Sequence, residues 1–521
     1  MTATSTRQRA GLKEWIGLAI LALPTLLLSL DVTVLHLAVP ELTADLRPSS
    51  TQTLWIIDIY GFMIAGFLVT MGTLGDRIGR RRLLLIGAAA FGAASVVAAY
   101  ATSPETLIAA RTLLGIAGAT LMPSTLSLIS NMFHDARQRG LAIGIWATMF
   151  SAGIAIGPVA GGVLLEHFSW GSVFLLGVPI MALLLAAGPF LLPEFRDTKA
   201  GRPDLASVAL SLATMLPITY GIKELPKHGL GLVPLLSIVV GIAAGILFVR
   251  RQRRLADPLL DISLFGNRAF SGALVSLLVS TGTVGGIYLF ITQYLQLVQG
   301  HSPLRAGLWL LPAAAALIIS SMAAPIIARH IRPATIIGAA LAISTLGYVL
   351  LTQVNAEAGL PMLVAGFVLV YTGTGPTTAL GTELVVGSAP PEKAGAASAL
   401  GETSTELGVA LGVAVLGSLG TSAYRAQLPG HAPDAVRDTL AGAVAAGTDG
   451  SLLATAREAF TTGLNTAAAI GAALIAAVTV FTVLALRRVR PTGHDTPTSI
   501  QDSPMPPSAD HAEAVGQAGS K

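Results

Sequence analysis

Residues 72–85 read GTLGDRIGRRRLLL. Apolar runs flank this stretch on both sides. Its three glycines permit a tight turn, and its aspartate and four arginines make it too polar for lipid. Arginine clusters at the ends of apolar runs mark the cytoplasmic side of membrane helices. The stretch therefore reads as a short cytoplasmic turn between two spans, and the rest of the chain is to be read with a bilayer as its solvent.

Composition agrees with that reading. Hydrophobic residues make up 53% of the 521 and charged residues only 12%, against roughly 25% charged in a soluble domain. Thirty-two Lys and Arg with 28 Asp and Glu cannot cover the several cores a soluble chain of this length would need. With no Cys, disulfides, thiolate catalysis and Cys-based metal sites are excluded. The nine His residues have no metal-ligand spacing. A net charge of +4 is no nucleic-acid footprint; it follows from how membrane proteins are oriented. There is no phosphate-binding loop and no nucleophile motif. An enzyme is not expected, and neither is a cofactor.

A bilayer-crossing helix needs about 20 mostly apolar residues. That ruler places fourteen spans near 15–39, 52–74, 83–101, 106–129, 140–164, 170–192, 204–222, 229–249, 268–292, 304–328, 333–352, 360–382, 396–421 and 460–486. Pro217 interrupts span 7, and two glutamates sit inside span 13. An even number puts both termini on one side. With the N-terminus in the cytoplasm, 24 Lys and Arg fall in cytoplasmic segments and 7 in external ones. Only Arg111 lies deep within a span. The N-terminal apolar run is too long for a signal peptide and has no cleavage site after it.

The expected fold is an all-α membrane protein of two six-helix bundles plus an inserted pair. Residues 1–14 form a cytoplasmic N-terminus and 15–192 the first bundle. Residues 204–249 form the inserted pair, spans 7 and 8, and 268–486 the second bundle. The tail 491–521, rich in Pro, Ser, Asp and His, reads as disordered. The external stretch 422–459 is either a flexible loop or carries short helices at 433–446 and 451–459. A weak echo of the 72–85 turn, GSAPPEKAGAASAL at 387–400, pairs spans 2–3 with spans 12–13. Two related six-helix halves are the architecture of many secondary transporters.

Charges inside spans carry the chemistry, because each costs at least ~2.5–3.5 kcal/mol at the bilayer centre. Four acids lie there: Asp31 in span 1, Asp58 in span 2, and Glu402 and Glu406 in span 13. At ~1.5 Å rise per residue, Asp31 and Asp58 share a level, and Glu406 lies near the midplane. Glu402 and Glu406, spaced i, i+4, share a helix face. Four acids against Arg111 leave a formal excess of negative charge that protons or a cation would balance.

Several segments resemble the major facilitator superfamily. GTLGDRIGRRR is similar to its loop between spans 2 and 3, RTLLGIAGA (111–119) to its Arg-containing motif in span 4, and GIAIGPVAGG (153–162) to the motif of its antiporters. LDVTVLHLAVP (30–40), SWGSVFLLGVP (169–179) and HSPLRAGLWLLP (301–312) resemble segments of the fourteen-span drug:H⁺ antiporters. The matches run in order over nearly the whole chain.

The resemblance implies a proton-coupled exporter of lipophilic, mainly cationic drugs in the bacterial cytoplasmic membrane, driven by the proton gradient and working as a monomer. A dedicated exporter of a self-made antibiotic or metabolite is the alternative. Asp31, with Arg111 as partner and Asp58 sharing the task, is assigned to proton coupling. Glu406, Glu402 and Asp58 are assigned to cation binding, with Tyr60 and Trp146 offering π faces. Asp58 could instead cap the outer end of span 2, and Glu402 could sit in a vestibule with no direct role. Gly72, Asp76, Arg77, Gly79 and Arg80 form the conformational gate, with topological anchoring as the competing role for the arginines. Gly153, Gly157, Pro158, Gly161 and Gly162 form a bendable small-residue seam. Span 10 has no acidic residue, which speaks against a strong preference for divalent cations.

Overall fold

The computed structural model describes residues 10–196, 204–228, 231–255, 258–389, 394–448, 450–487 and 489. Residues 1–9 and the tail at 491–521 lie outside the described residues. Fourteen helices are long and apolar enough to cross a membrane. In chain order they are α1 (Leu12–Leu46), α2 (Ser50–Ile78), α3 (Arg80–Ala99), α4 (Pro104–Met132), α5 (Ala136–His167), α6 (Ser172–Leu191), α7 (Leu205–His228), α8 (Leu232–Gln252), α9 (Arg268–Val298), α10 (Pro303–Ala328), α11 (Pro333–Leu351), α12 (Leu360–Gly387) and α13 (Ala394–Gln427). Two short helices follow, α14 (Asp434–Asp438) and α15 (Leu440–Ala445), and α16 (Gly450–Leu486) completes the set.

Local chemistry sets the helix starts. Ser49, Ser103 and Ser302 each accept a hydrogen bond from a backbone N–H in the first turn of α2, α4 and α10, satisfying donors that the helix cannot. Pro104 and Pro303 stand at first helical positions, where no N–H is needed.

Three boundaries differ from the sequence reading. Pro217 does not end its span: α7 runs on to His228, as proline can within packed membrane helices. The second bundle's long connection is shorter than the expected 422–459, because α13 continues to Gln427 and α16 begins at Gly450. Residues 433–446 do carry short helices, but 451–459 is the first part of α16 and not a separate element.

Helix packing repeats itself. In the first six helices α1 packs on α5, α4 and α6, α2 on α4, and α3 on α4 and α6. In the last six α9 packs on α13, α12 and α16, α10 on α12, and α11 on α12 and α16. Each partner is displaced by eight helices, with α16 standing for α6. This overturns the pairing of spans 2–3 with 12–13. The counterpart of the 72–85 turn is the α10–α11 turn at 329–332, and 387–400 corresponds to the turn between α4 and α5. The echo matched composition but not place.

The halves meet through α2 against α13 and, in the equivalent position, α10 against α5. We call the side where α1 begins and α16 finishes the terminal face, and the opposite side the far face. Contacts between halves concentrate toward the far face. Val39, Leu54 and Ile57 pack on Leu289 and Val413. Gln296 donates to the Leu37 carbonyl at 3.1 Å. Helix α15 lies against α1 and α16 beyond them. A cavity of only about 50 Å³ remains there, lined by residues of both halves such as Thr43, Ser50, Gln293 and Tyr424. The far face is closed. The inserted pair, α7 and α8, packs on itself and then against α2 and α13, alongside the junction of the halves.

Candidate transport site

Arg111 of α4 is the hub of the first half, with only 1% of its side chain exposed. It binds the Asp31 carboxylate of α1 at 2.5 Å. It also donates to the carbonyls of Ile56 and Ile57 in α2 at 3.1 and 3.3 Å. Its guanidinium lies 4.5 Å from the Tyr60 ring centre. The planar fork thus joins three helices, which a point-charge lysine could not do. Asp31 keeps an edge accessible, its side chain being 10% exposed.

Asp58 is not a free acid. Its Oδ1 accepts from the Lys223 ammonium of α7 at 2.7 Å, with both side chains fully buried. The ammonium also sits 3.6 Å from the Trp55 ring centre. Lys223 therefore corrects the sequence account twice. Arg111 is not the only basic residue deep in a span, and one of the seven external cations belongs inside. Two of the four acids are paired, and Asp58 does not cap the far end of α2.

Glu402 and Glu406 remain. Both are half-buried on α13, and no hydrogen bond or ion pair joins either to another described residue. Glu406 Oε2 would lie 3.8 Å from a Cβ placed at Gly61, so this carboxylate faces α2 across the junction. Glu406 thus sets an unpaired acid against α2 at the junction, with Glu402 one turn away on the same helix.

The two aromatic candidates are placed differently from expectation. Tyr60 is 2% exposed and its ring carries Arg111. Trp146 is buried inside the first half, its Nε1 donating to Thr125 Oγ1 at 3.2 Å. Neither presents a free face to the junction. Tyr60's face is filled by the protein's own cation.

The 72–85 turn is built on a glycine that cannot be replaced without strain. Gly79 has φ +115°, and a Cβ there would come 2.5 Å from Glu194 Oε1. Arg80 binds Asp76 at 2.6 Å and donates to the Pro123 carbonyl of α4. Arg81 donates to the Pro189 and Leu192 carbonyls and pairs with Glu194, just past α6. Gly72 makes only ordinary contact with Pro123, and Arg77 is exposed. These bonds staple α2, α3, α4 and α6 within one half. Glu194 carries no motif signal, because its role depends on where α6 ends.

The small-residue seam divides its work. Cβ atoms at Gly153, Gly157 and Gly161 would strike Ser29, Thr33 and Val34 of α1, within the same half. Gly162 instead abuts the other half: a Cβ there would lie 2.6 Å from Leu304 Cα of α10. One turn back, the Pro158 carbonyl meets Gly307, whose Cβ would come within 2.3 Å of it. Proline frees the helix to bend here. The seam that closes the far face is thus glycine against backbone.

Two pseudo-symmetric six-helix bundles closed at one face, with one buried ion pair inside the first bundle and a second joining it to the inserted pair, define a secondary transporter. Residues 21–413 match the family described as the Major Facilitator Superfamily, and the chain belongs to it. It is a transporter and not an enzyme. It is similar to the multidrug efflux pump LfrA of Mycolicibacterium smegmatis, at 44% identity over 93% of this chain and 99% of that protein. It also resembles the methyl viologen resistance protein SmvA of Salmonella typhimurium, at 35% identity over 80% and 84%. Among solved structures it shares its fold with a bacterial homolog of the human lysosomal transporter Spinster, inward-facing and unoccupied. That match has a TM-score of 0.64 at 18% identity and covers 92% of this chain and 98% of that one.

Proposed function

We propose that the protein is a proton-coupled antiporter that exports lipophilic, mainly cationic drugs across the cytoplasmic membrane of a bacterium, as a monomer with both termini in the cytoplasm. The observation that carries this reading is the pair of half-buried, unpartnered carboxylates, Glu402 and Glu406, beside the Asp31–Arg111 pair. With the terminal face toward the cytoplasm, the closed far face makes this conformation inward-facing. A lipophilic cation then meets Glu402 and Glu406 from the cytoplasmic side, where no cation among the described residues pairs with either. Its similarity to a multidrug efflux pump and to a methyl viologen resistance protein supports drugs as cargo.

Asp31 supplies the proton site. When ionised it balances Arg111. When it takes a proton, Arg111 is still held by the Ile56 and Ile57 carbonyls and by Tyr60. The arginine therefore stays in place while the charge of the first half changes by one. A positive charge gained there disfavours a bound cation at Glu406, which is the competition antiport requires. One proton exchanged for one monovalent cation moves no net charge and is driven at ~1.4 kcal/mol per pH unit. A second proton adds ~2.3 kcal/mol per 100 mV. The switch opens the far face by parting Gly162 from Leu304 and Pro158 from Gly307.

Purified protein in proteoliposomes with an imposed pH gradient tests this reading. Ethidium should accumulate against its gradient only while the pH gradient lasts; accumulation indifferent to the gradient would reject proton coupling.

A further inference from the structure

Lys223 is a buried basic group that neither the seam nor the Arg111 hub accounts for. It reaches from the inserted pair into α2, and its ammonium rests between a carboxylate and an indole face. A carboxylate with an aromatic face is the chemistry that recognises an organic cation. The arrangement differs from a finished structural ion pair. Asp58 Oδ2 is buried without any hydrogen-bond partner, although a buried pair repays its desolvation only when the remaining lone pairs are satisfied. Thr219, one turn before Lys223, also has a buried hydroxyl without a partner. Trp55 is only half-buried, so the pocket has an edge. Helix α7 touches α2 of one half and α13 of the other, and Leu212 and Met215 pack on Gly66 of α2. The helix that carries Lys223 thus bridges the two halves.

We propose that Trp55 and Asp58 form a lateral subsite for organic cations, filled in this conformation by the tethered ammonium of Lys223. Lys223 is then a specificity-determining residue: only a cation able to replace a primary ammonium between carboxylate and indole enters the subsite. The inserted pair supplies a built-in competitor for the cargo. This rests on the reading that the cargo is cationic, yet it can fail or stand separately from it.

Lys223→Ala removes three methylenes and the ammonium, which propylammonium replaces in size and charge. The full-length variant is titrated with propylammonium while its thermal midpoint is followed. We expect a loss of several degrees and a saturable recovery of at least half of it, competed by tetraphenylphosphonium. Wild type, whose pocket is filled, and the double variant Asp58→Asn/Lys223→Ala, which has no carboxylate, should show no saturable response. Equal responses of the single and double variants would overturn the proposal and leave a structural latch. If Lys223→Ala does not survive extraction, Lys223→Gln is titrated in the same way and judged by the same comparison. Wild-type ethidium transport is measured alongside. Recovery without transport removes the export reading and keeps the subsite; transport without recovery does the reverse.

Discussion

Gly162→Ala adds one methyl group to the seam between the halves. Its Cβ would lie 2.6 Å from Leu304 Cα, 2.9 Å from the Pro303 carbonyl oxygen and 3.0 Å from Leu304 N. All three are backbone atoms at the start of α10, so no side chain can rotate away. Ordinary carbon contacts lie near 3.5–4.0 Å, so the two helices must part by about 1 Å. Overpacking of this kind costs ~1–3 kcal/mol. The cost falls only on the conformation in which Gly162 touches Leu304, so it shifts the equilibrium toward an open far face by about 5- to 150-fold. The chain has no cysteine, which makes a spin-label pair simple to install. Glu166 on α5 and Arg305 on α10 are exposed near the far ends of their helices. Double electron–electron resonance between labels there should gain a long-distance population in Gly162→Ala, and transport should fall. Gly144→Ala on the same helix is the control, because its Cβ meets nothing within 4 Å. An unchanged distance distribution together with unchanged transport in Gly162→Ala would refute the seam.

Asp31→Asn should leave a folded protein, because Arg111 keeps its two carbonyls and Tyr60, while gradient-driven ethidium transport falls to background; near-normal transport would remove Asp31 from coupling. Glu406→Gln should weaken tetraphenylphosphonium binding about tenfold or more and spare a neutral substrate; equal loss for both, in equilibrium binding, would point to packing instead. Gly79→Ala should lower the thermal midpoint through ~1–2 kcal/mol of backbone strain and displacement of Glu194; an unchanged midpoint would contradict the staple. Asp204, at the start of α7, is pushed up by burial, but hydrogen bonds from Arg251 and Ser207 outweigh this and hold it below the ordinary carboxylate value. Its stabilisation of the inserted pair is therefore present above the unfolded pKa and lost as pH falls through the lower folded one. Asp204→Asn should remove that acid-side loss, as read from thermal midpoints below pH 5.

The fourteen spans were legible because lipid permits few alternatives to ~20 apolar residues. Asp31 and Arg111 were legible for the same reason: each is polar where polarity is costly. Lys223 was not. It follows Pro217 by six residues and precedes Glu224 near the end of an apolar run, which is how a loop boundary looks. The charge count held the missing signal, since four buried acids against one arginine called for a second cation. Tyr60 and Trp146 offer π faces to a cargo cation on the sequence alone, but a sequence does not say which rings the protein itself covers. Composition alone misleads about the helix correspondence, because 387–400 resembles 72–85, whereas packing relates elements by position. Gly162 and Gly307 show the same limit. Glycine spacing announced a close contact, and only the fold separates the glycines facing α1 from the one facing the other half.

Central to this account is the exchange of a cation for a proton. Proteoliposomes loaded with a pH-sensitive dye and given an ethidium gradient, with no pH gradient imposed, test it most directly. Ethidium moving down its gradient should drive protons the opposite way, and Asp31→Asn should abolish that movement. Ethidium crossing through the wild-type protein with no change in internal pH would contradict the account.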